Sequence, residues 1–567
     1  MQNLRIVGWL AISLMLIPVS AQAQEALAGH VVKKNFAPPL DTSHPVLDLS
    51  NFSGAPVPQG ADRVKLNISG VRFEGDPCPV PQAALQLQAA LGAKELTVAD
   101  LYAQVHAMEQ QLSDAGYVLT RVVIPPQRIV PGGLITIMII EGRIEAIDVS
   151  ALPAPIRGAV SARLAKLLNK PLVRRADIER ALLIAGDFGG LTLHSTFAPG
   201  DEMGGVKLIL DGRFTRIDGA LGADRMASNA VGSWENTASV SLNSPFGHGE
   251  QLYASYQGDP LNTLKADSRM RIVAIGALIP IGNNGLTLSP ELVWARIAPD
   301  VQKGVPKSEN NMARAALRLN YPLIRQVKET LYLTSSFEAI NQRVEAIDFG
   351  ALSSDSYMVM RGGFDYQSLI APGLVLSSSA TISQGLGKIG SVFAVGANVP
   401  STHVGATPNF TKVDATISAT KMIGAFTAGM VMHGQSSFSQ SMLSSEQLSL
   451  DGTDALSGLA PGAYGVDQGG TLRLQLARSV LLSSVTNLFA TPYLFAAFGA
   501  GRTFDITKLE SASSCATNIG AGVQMQLWQS KSQRQALRLS FEFSHSWINA
   551  VGHSQASRAN LAAGWSF

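Results

Sequence analysis

The chain has 567 residues, too many for one ordinary hydrophobic core, so its length predicts at least two domains. Its 44 basic and 42 acidic side chains nearly cancel, which argues against nucleic-acid binding and against a polybasic membrane anchor. The two cysteines, Cys78 and Cys515, exclude a disulfide framework, although a single bridge stays open. Neither they nor the nine histidines show zinc-like spacing, so we expect no metal site and no cofactor.

Residues 1–23 have the pattern of a secretory signal peptide. Arg5 supplies a positive charge, residues 6–19 are apolar, and Ala21 and Ala23 fit a small-residue cleavage site. The alternative is an uncleaved anchor helix, but the apolar run falls short of the ~20 residues that span a bilayer. No later stretch of ~18 apolar residues occurs, so such an exported chain could enter a membrane only as a closed β-barrel.

The next part of the chain is predicted to contain a tether and a first folded unit. Residues 24–64 are rich in proline, glycine, serine and aspartate, which predicts an extended tether, with a short helix near its start left open. Residues 65–146 have the pattern of a compact α+β unit, in which one helix begins at a capping-box-like Thr97 and Asp100. The apolar stripe of this helix, expected to be mostly core, consists of Leu101, Val105, Met108 and Leu112.

Residues 147–212 are predicted to repeat this build. The expected elements are a strand, two helices and two strands, over residues 144–149, 156–168, 175–185, 191–197 and 205–211. Two consecutive units of similar build in an exported chain suggest a stacked periplasmic arm.

Residues 213–567 lack helical periodicity and have the pattern of barrel strands. Short segments alternate apolar and polar side chains between turn residues, most clearly at Leu537, Leu539, Phe541, Phe543 and Trp547. A soluble sandwich could alternate in the same way, but the length of the region and a final strand ending in Phe567 favour an outer-membrane barrel. At roughly 10 residues per tilted strand plus turns, this region fits about 16 strands.

Several stretches, in their order along the chain, resemble one known family. Residues 116–127 read GYVLTRVVIPPQ, 140–144 read IEGRI, 175–182 read RADIERAL, 244–252 read SPFGHGEQL and 319–323 read LNYPL. Together they resemble the two-partner secretion translocators (TpsB, haemolysin-activator type), outer-membrane barrels with polypeptide-transport-associated (POTRA) domains.

The resemblance implies a transmembrane antiparallel β-barrel of about 16 strands preceded by two α+β POTRA domains. It implies an outer-membrane translocator that recognises a large unfolded partner protein in the periplasm through its POTRA domains and exports it through the pore. The expected partners are that secreted protein and outer-membrane lipid, without nucleic acid, and a monomer is expected. The alternatives are an outer-membrane protein assembly or insertion factor, or a passive channel or surface barrel. No enzyme activity is expected, because the sequence contains no nucleophile elbow, P-loop or zinc-protease motif.

POTRA domains bind clients by strand addition at an exposed sheet edge and by an adjacent apolar groove. Residues 118–124 are the candidate edge, and the stripe of Leu101, Val105, Met108 and Leu112 is the candidate groove, although most of it is expected to be core. The client-binding candidates are Tyr117, Val118, Arg121, Val122 and Ile124. Tyr117 and Arg121 fit client contact or barrel docking equally well. Inside the barrel, Arg538 and Glu542 would point into the lumen, as a solvated network or as part of a client track.

In the family a long loop folds back into the lumen, and an Arg of its Arg-Gly motif pairs with an Asp on the wall. The residues at the corresponding positions are Ser457, Gly458, Gly465, Asp467 and Gly469 on the loop, and Phe495, Ala497 and Gly499 on the wall strand. Ser457 stands at the Arg position and Ala497 at the Asp position, so both partners are missing. Losing one partner of an enclosed ion pair leaves a buried charge unpaired and costs ~3–5 kcal/mol, whereas losing both partners leaves no unpaired charge. We therefore interpret the two changes as one event. The anchoring of the loop stays open, with Arg473 or Arg502 as candidate substitute cations.

Overall fold

The computed structural model describes residues 31–38, 47–48, 56–92, 94–225, 232, 234–259, 265, 268–299, 307–388, 399–462, 464–483, 488–504, 513–529, 535–550 and 552–567. The predicted signal peptide, residues 1–23, lies outside the described residues, as does most of the predicted tether. Within these ranges, no helix combines the length and the apolar character needed to cross a bilayer.

The first α/β unit is a four-stranded sheet with two helices. After a short strand β1 (Leu47–Asp48), which belongs to the next sheet, its elements are β2 (Lys65–Gly75), α1 (Pro81–Leu91), β3 (Lys94–Thr97), α2 (Val98–Asp114), β4 (Arg121–Val123) and β5 (Gly133–Ile140). The strand order is β3-β2-β5-β4. Helix α2 begins at the predicted cap, because Thr97 Oγ accepts a hydrogen bond from the Asp100 N–H at 3.1 Å and the Asp100 carboxylate accepts one from the Thr97 N–H at 2.9 Å. The predicted apolar stripe of α2 is buried in the core of the unit, as expected for side chains that mostly stabilise the fold.

The second α/β unit has a similar build. Its elements are β6 (Arg143–Asp148), α3 (Ala154–Leu164), a short 3-10 turn (Ala165–Leu167), α4 (Arg175–Gly186), β7 (Leu191–Pro199) and β8 (Gly205–Phe214). The sheet order is β1-β7-β8-β6, with β1 parallel to β7. The predicted boundaries after residues 146 and 212 are wrong by a few residues. They fall inside β6 and β8, which stay paired within this sheet as far as Asp148 and Phe214.

The rest of the chain closes into an antiparallel barrel with 16 strand positions in the described residues. One position is shared by two segments, β22 (Gln468–Ala477) and β23 (Val480–Ser483), which pair with successive parts of β24 (Leu488–Arg502). The barrel strands are β9 (Ile217–Asp224), β10 (Glu235–Asn243), β11 (Gln251–Gly258), β12 (Met270–Ile281), β13 (Leu286–Ile297), β14 (Ser308–Arg325), β15 (Glu329–Ala346), β16 (Gly350–Ala371), β17 (Leu374–Lys388), β18 (Thr411–Ile423), β19 (Phe426–Ser436), β22 (Gln468–Ala477), β23 (Val480–Ser483), β24 (Leu488–Arg502), β25 (Ser513–Gln529), β26 (Ala536–Ala550) and β27 (Gly552–Ser566). Two short strands, β20 (Leu448–Ser449) and β21 (Gly465–Val466), pair with each other and are not part of the barrel wall. The predicted fold class is confirmed.

The barrel has an apolar outer surface and polar side chains on its inner surface. On β26 the side chains of Phe541, Phe543 and Trp547 are exposed outward, whereas Glu542 and Ser544 are buried inside, as the alternation predicted. Further exposed tryptophans lie near both ends of the strands, such as Trp294 near one end and Trp565 near the other. Aromatic side chains at two levels are typical of barrels whose rims meet the two membrane interfaces.

Candidate functional site: the barrel lumen, its long loop and the periplasmic arm

The loop between β19 and β22, residues 437–467 (the long loop), folds back into the barrel. Its apolar side chains pack against the inner wall in one cluster, formed by Leu450, Ala455, Leu456, Leu459 and Val466 with Ala497, Ala516 and Ile548. Asp467 at the end of the loop is fully buried, and its carboxylate accepts hydrogen bonds from the main-chain N–H groups of Met442 at 3.0 Å and Phe504 at 2.8 Å. The long loop is therefore a folded element of the lumen, and the predicted motif residue Asp467 holds its C-terminal end by hydrogen bonds.

The predicted motif residues Ser457 and Gly458 form the tip that touches the wall. The Ser457 Oγ accepts a hydrogen bond from Arg473 Nη1 at 3.0 Å, and the Ser457 carbonyl accepts one from Asn560 Nδ2 at 2.9 Å. Gly458 lies so close to the side chains of Asn518 and Ser546 that a Cβ atom would collide with them. The tip is thus held by neutral groups of the loop and by donors of the wall.

Arg473 supplies the cation that is missing from the loop. This residue of β22 makes an ion pair with Glu542 at 2.7 Å, and its guanidinium lies 3.6 Å from the centre of the Phe495 ring. Tyr493 donates a second hydrogen bond to the same Glu542 carboxylate at 2.8 Å. Ala497 lies directly opposite Arg473 in the strand register. The predicted loop residue Ser457 and wall residue Ala497 therefore both lie beside Arg473, the candidate cation whose guanidinium contacts Ser457.

The remaining predicted motif residues lie where the loop leaves the wall. Gly465 lies in β21 and Gly469 in β22, where a Cβ atom would collide with the main chain of Ala500. A Cβ atom on Gly499 would press on the loop residue Leu456. Gly499 therefore allows close approach between loop and wall, whereas Gly469 allows close approach between two wall strands.

A second anchor of the long loop was missed by sequence reasoning. The Glu446 carboxylate is fully buried and makes ion pairs with Arg361 at 2.7 Å and Lys412 at 3.1 Å, and it accepts a hydrogen bond from Tyr357 at 2.8 Å. Here the loop carries the acid and the wall carries the cations, the opposite polarity to the family pair. The available signal was a charged residue at a lumen-facing position of an alternating strand, as Arg361 is on β16.

Residues 31–38 lie inside the lumen rather than in an extended tether, which corrects the prediction for this part of the chain. Val32 is buried in an apolar cluster with Tyr357 and Phe410 of the barrel region. The main chain of the segment contacts the wall strands β13 and β14. Composition predicted a tether because proline and small polar residues do not pack with each other, but here the barrel wall supplies the partners.

A cavity of about 1700 Å³ remains at the end of the lumen that faces the arm. Its lining includes Asp187 and Phe188 of the second α/β unit, Arg538 of the barrel and Phe36 of the lumen segment. Arg538 thus faces open space, whereas Glu542 is engaged by Arg473. The two lumen residues predicted as one network have separate surroundings.

The second α/β unit is docked on the barrel through charged contacts. Asp187 makes an ion pair with Arg325 at 2.6 Å, and Arg180 donates hydrogen bonds to the main-chain carbonyls of Pro322 at 2.6 Å and Leu323 at 3.1 Å. Burial of Arg163, 3.8 Å from the centre of the Phe188 ring, lowers its pKa to about 10. The arm therefore meets the barrel at its cavity.

The predicted client-binding residues have different surroundings. Val118 is buried in the core of the second unit and Val122 in the core of the first, because β4 spans only Arg121–Val123 and the chain before it turns between the units. Tyr117 joins the two units, since its hydroxyl accepts a hydrogen bond from Arg174 at 3.1 Å. Arg121 and Ile124 remain partly exposed beside the edge strand.

The chain was compared with known proteins. Residues 208–527 match the family described as haemolysin secretion/activation protein ShlB/FhaC/HecB, and residues 66–142 match the POTRA domain of ShlB type. No curated protein sequence matches the chain. CdiB from Escherichia coli is similar in structure, with a TM-score of 0.67 and 17% identity over 96% of this chain and 95% of that chain. CdiB from Acinetobacter baumannii gives a TM-score of 0.60 and 13% identity over 99% of this chain and 97% of that chain. At these identities the two structures show a common fold.

Proposed function

Because the chain belongs to the haemolysin secretion/activation family, we propose that it exports a large unfolded partner protein through its barrel. It is an outer-membrane protein whose POTRA region lies in the periplasm. The partner binds first to this region, enters the lumen at the cavity beside the second unit, and leaves at the opposite end of the barrel.

The observation that carries this proposal is the content of the lumen. The interior of the barrel is occupied by residues 31–38 and by the long loop, which are separate segments held there by hydrogen bonds and by apolar packing. A barrel of about 16 strands is wide enough for an aqueous channel when nothing else occupies it. Movement of these two segments would therefore open a path for an unfolded chain, which a barrel packed with wall side chains alone could not offer.

The proposed binding edge for the partner is β4 of the first unit. It is one edge of its sheet, and an edge strand offers unpaired main-chain groups to an extended peptide. Arg121 and Ile124 flank this edge and are partly exposed, so they are the predicted client-binding residues that can contact a partner directly. Val118 and Val122 support the edge from the cores beneath it, and Tyr117 fixes the angle between the units.

Deleting residues 65–212 should leave a membrane-inserted barrel that no longer releases the partner into the medium. The barrel keeps its own strand ladder, and only the periplasmic arm is lost. Mass spectrometry of the culture medium would identify the partner as the large protein that disappears, and heat modifiability on SDS gels would confirm that the barrel folds. Continued release of the same protein would contradict the role of the arm.

A finer variant tests the proposed edge. Arg121→Glu reverses the charge beside β4 and should reduce partner release, whereas Arg72→Glu makes the same change at an exposed position of the central strand β2. Equal release by the two variants would contradict the assignment of the β4 edge.

A further inference from the structure

The lumen segment 31–38 is bound to the barrel wall through its main chain. Arg314 Nη2 donates a hydrogen bond to the Lys33 carbonyl at 2.9 Å, and Arg318 Nη2 donates one to the Lys34 carbonyl at 2.6 Å. The Phe36 N–H donates to the Glu291 carboxylate at 2.9 Å. Two carbonyls and one N–H of a four-residue stretch are thus held by three wall residues. Since almost every residue carries these main-chain groups, such contacts do not depend on the side chains of the bound segment.

The three wall residues form one buried charged group. The Glu291 carboxylate accepts from Arg314 at 3.0 Å and from Arg318 at 3.1 Å, and Tyr253 donates a further hydrogen bond to it at 3.0 Å. The Glu291 side chain is 0% exposed and the Arg314 side chain 4% exposed. Charges buried this deeply need fixed partners. The group is therefore preorganised, with one donor of each arginine directed at the segment.

The group joins two guanidinium ions to the Glu291 carboxylate, with a second acid, Glu338, near Arg314, so that guanidinium N–H donors outnumber the carboxylate oxygens. This surplus of donors matches main-chain carbonyls, and a hydrogen bond between a charged donor and a carbonyl is stronger than a neutral one. Arg314 Nε is also buried without a hydrogen-bond partner among the described residues. The wall thus has more donor capacity than its own side chains use.

Buried amides continue this surface toward the cell exterior. Gln342 lies beside Met312 in the strand register, and Asn310 lies farther along β14, so that they stand about 7 and 13 Å beyond Arg314 at the usual rise per residue. Both amide groups are buried, and neither has a hydrogen-bond partner in the part of the chain that the structure describes. An amide can both donate to a carbonyl and accept from an N–H, which are the two groups that an extended peptide presents.

We propose that Glu291, Arg314 and Arg318 form a binding site for polypeptide main chain in the lumen. At rest it holds residues 33–36 of the same chain. After this segment leaves, it holds successive stretches of the exported partner, a step that rests on the proposed function. Main-chain recognition suits a client whose side chains change as it passes, and the amides of Gln342 and Asn310 extend the site in the direction of export.

The site can be tested without any partner protein. The probe is a fluorescent, uncharged peptide of glycine, serine and asparagine, roughly 15 residues long, which spans about 50 Å when extended. It is added to the detergent-solubilised chain lacking residues 31–38, and binding is followed by fluorescence anisotropy. We expect binding that survives scrambling of the peptide sequence and is lost when the peptide backbone is N-methylated. Equal binding of the N-methylated peptide would overturn the proposal.

The matched variants keep every charge. Arg314→Lys with Arg318→Lys keeps the charges that pair with Glu291 but replaces each planar guanidinium, whose N–H groups point in fixed directions, by an ammonium that lacks this fixed geometry. Peptide affinity should fall about tenfold or more, as expected when hydrogen bonds to a charged group are lost. The control is Arg296→Lys, the same change at an arginine of β13 that pairs with Glu309. Unchanged affinity in the double variant would overturn the site.

A second measurement covers the case in which the deletion prevents folding. In the full-length chain, Arg314→Lys with Arg318→Lys should loosen residues 33–36 and raise the frequency of open events in planar bilayers above that of Arg296→Lys. Equal frequencies would count against the site. Partner release is scored separately in the culture medium. Loss of peptide binding with continued release would overturn this inference alone, and peptide binding without any release would overturn the proposed function.

Discussion

Replacing Glu446 by glutamine should free the long loop from the barrel wall and give a pore that conducts ions at rest. The carboxylate is fully buried and faces Arg361 and Lys412, and the Lys412 side chain is itself 0% exposed. Without the acid, two buried cations lose their main counter-charge, which costs about 3–5 kcal/mol. The remaining acids nearby are more distant, such as Glu338 at 3.5 Å from Arg361. The least costly response is for the loop to leave and let water reach the cations.

Planar-bilayer recording and heat modifiability on SDS gels would measure this effect. We expect frequent, long open events and a lower temperature for loss of the compact band. Glu309→Gln is the matched control, because Glu309 pairs with Arg296 at 2.7 Å while both side chains stay partly exposed. Such a pair contributes about 0–1 kcal/mol. A Glu446→Gln pore as quiet as the control would show that this ion pair does not anchor the loop.

A double variant separates the ion pair from a general loss of packing. Lys412→Met removes one of the two stranded cations and keeps an unbranched apolar chain at the site. Combined with Glu446→Gln, it should be less destabilising than the sum of the two single changes, because the second change removes a charge that the first left unpaired. Additive effects would mean that Glu446 and Lys412 act independently.

The barrel could be predicted from the sequence because the pattern that specifies it lies within single strands. A strand with lipid on one side and the lumen on the other must alternate apolar and polar residues, and this pattern is readable within about 10 residues. The side chains of Phe541 and Glu542 show it, one facing outward and one inward. The α/β units were predicted for the same reason, since the cap at Thr97 and the apolar stripe of α2 lie within one helix.

The contacts of the lumen could not be predicted because they join distant parts of the chain. Arg473 and Glu542 lie on strands that are not neighbours, and the Glu446 carboxylate meets Arg361 only after the barrel has closed. A pattern along the chain predicts that a side chain points inward and leaves its partner undetermined. The lumen segment is the extreme case, because the Lys33 carbonyl meets Arg314 across most of the first half of the chain.

The burial of Val118 and Val122 at the edge of the first unit could not be predicted either, because it also depends on contacts between distant parts of the chain. Residues 118–124 were predicted as an exposed edge strand, with Val118 and Val122 among its client-binding residues. In the structure a turn precedes β4, so that Val118 reaches the neighbouring unit while Val122 packs beneath its own. Apolar alternation shows which side chains share a face, but which neighbour covers that face is decided by the arrangement of the units.

Ser457→Arg restores the family residue on the loop and should nevertheless destabilise the protein. The Ser457 hydroxyl is buried and lies 3.0 Å from Arg473 Nη1, so a second guanidinium would be placed against the first. The nearby carboxylate of Glu542 already pairs with Arg473 and accepts from Tyr493. An unpaired cation in this enclosed position costs about 3–5 kcal/mol, visible as a lower temperature for loss of the compact barrel band.

Adding Ala497→Asp to Ser457→Arg should recover much of that loss. Ala497 lies opposite Arg473 and packs in the same cluster as Leu456, so the new carboxylate would stand within reach of both cations. The matched control pairs Ser457→Arg with Ala516→Asp, which introduces the same acid at another buried alanine of the cluster. Rescue by Ala497→Asp alone would show that charge can be moved between loop and wall, provided each cation has a carboxylate. Equal destabilisation by Ser457→Arg and by its combination with Ala497→Asp would mean that these two positions do not form a pair in this chain.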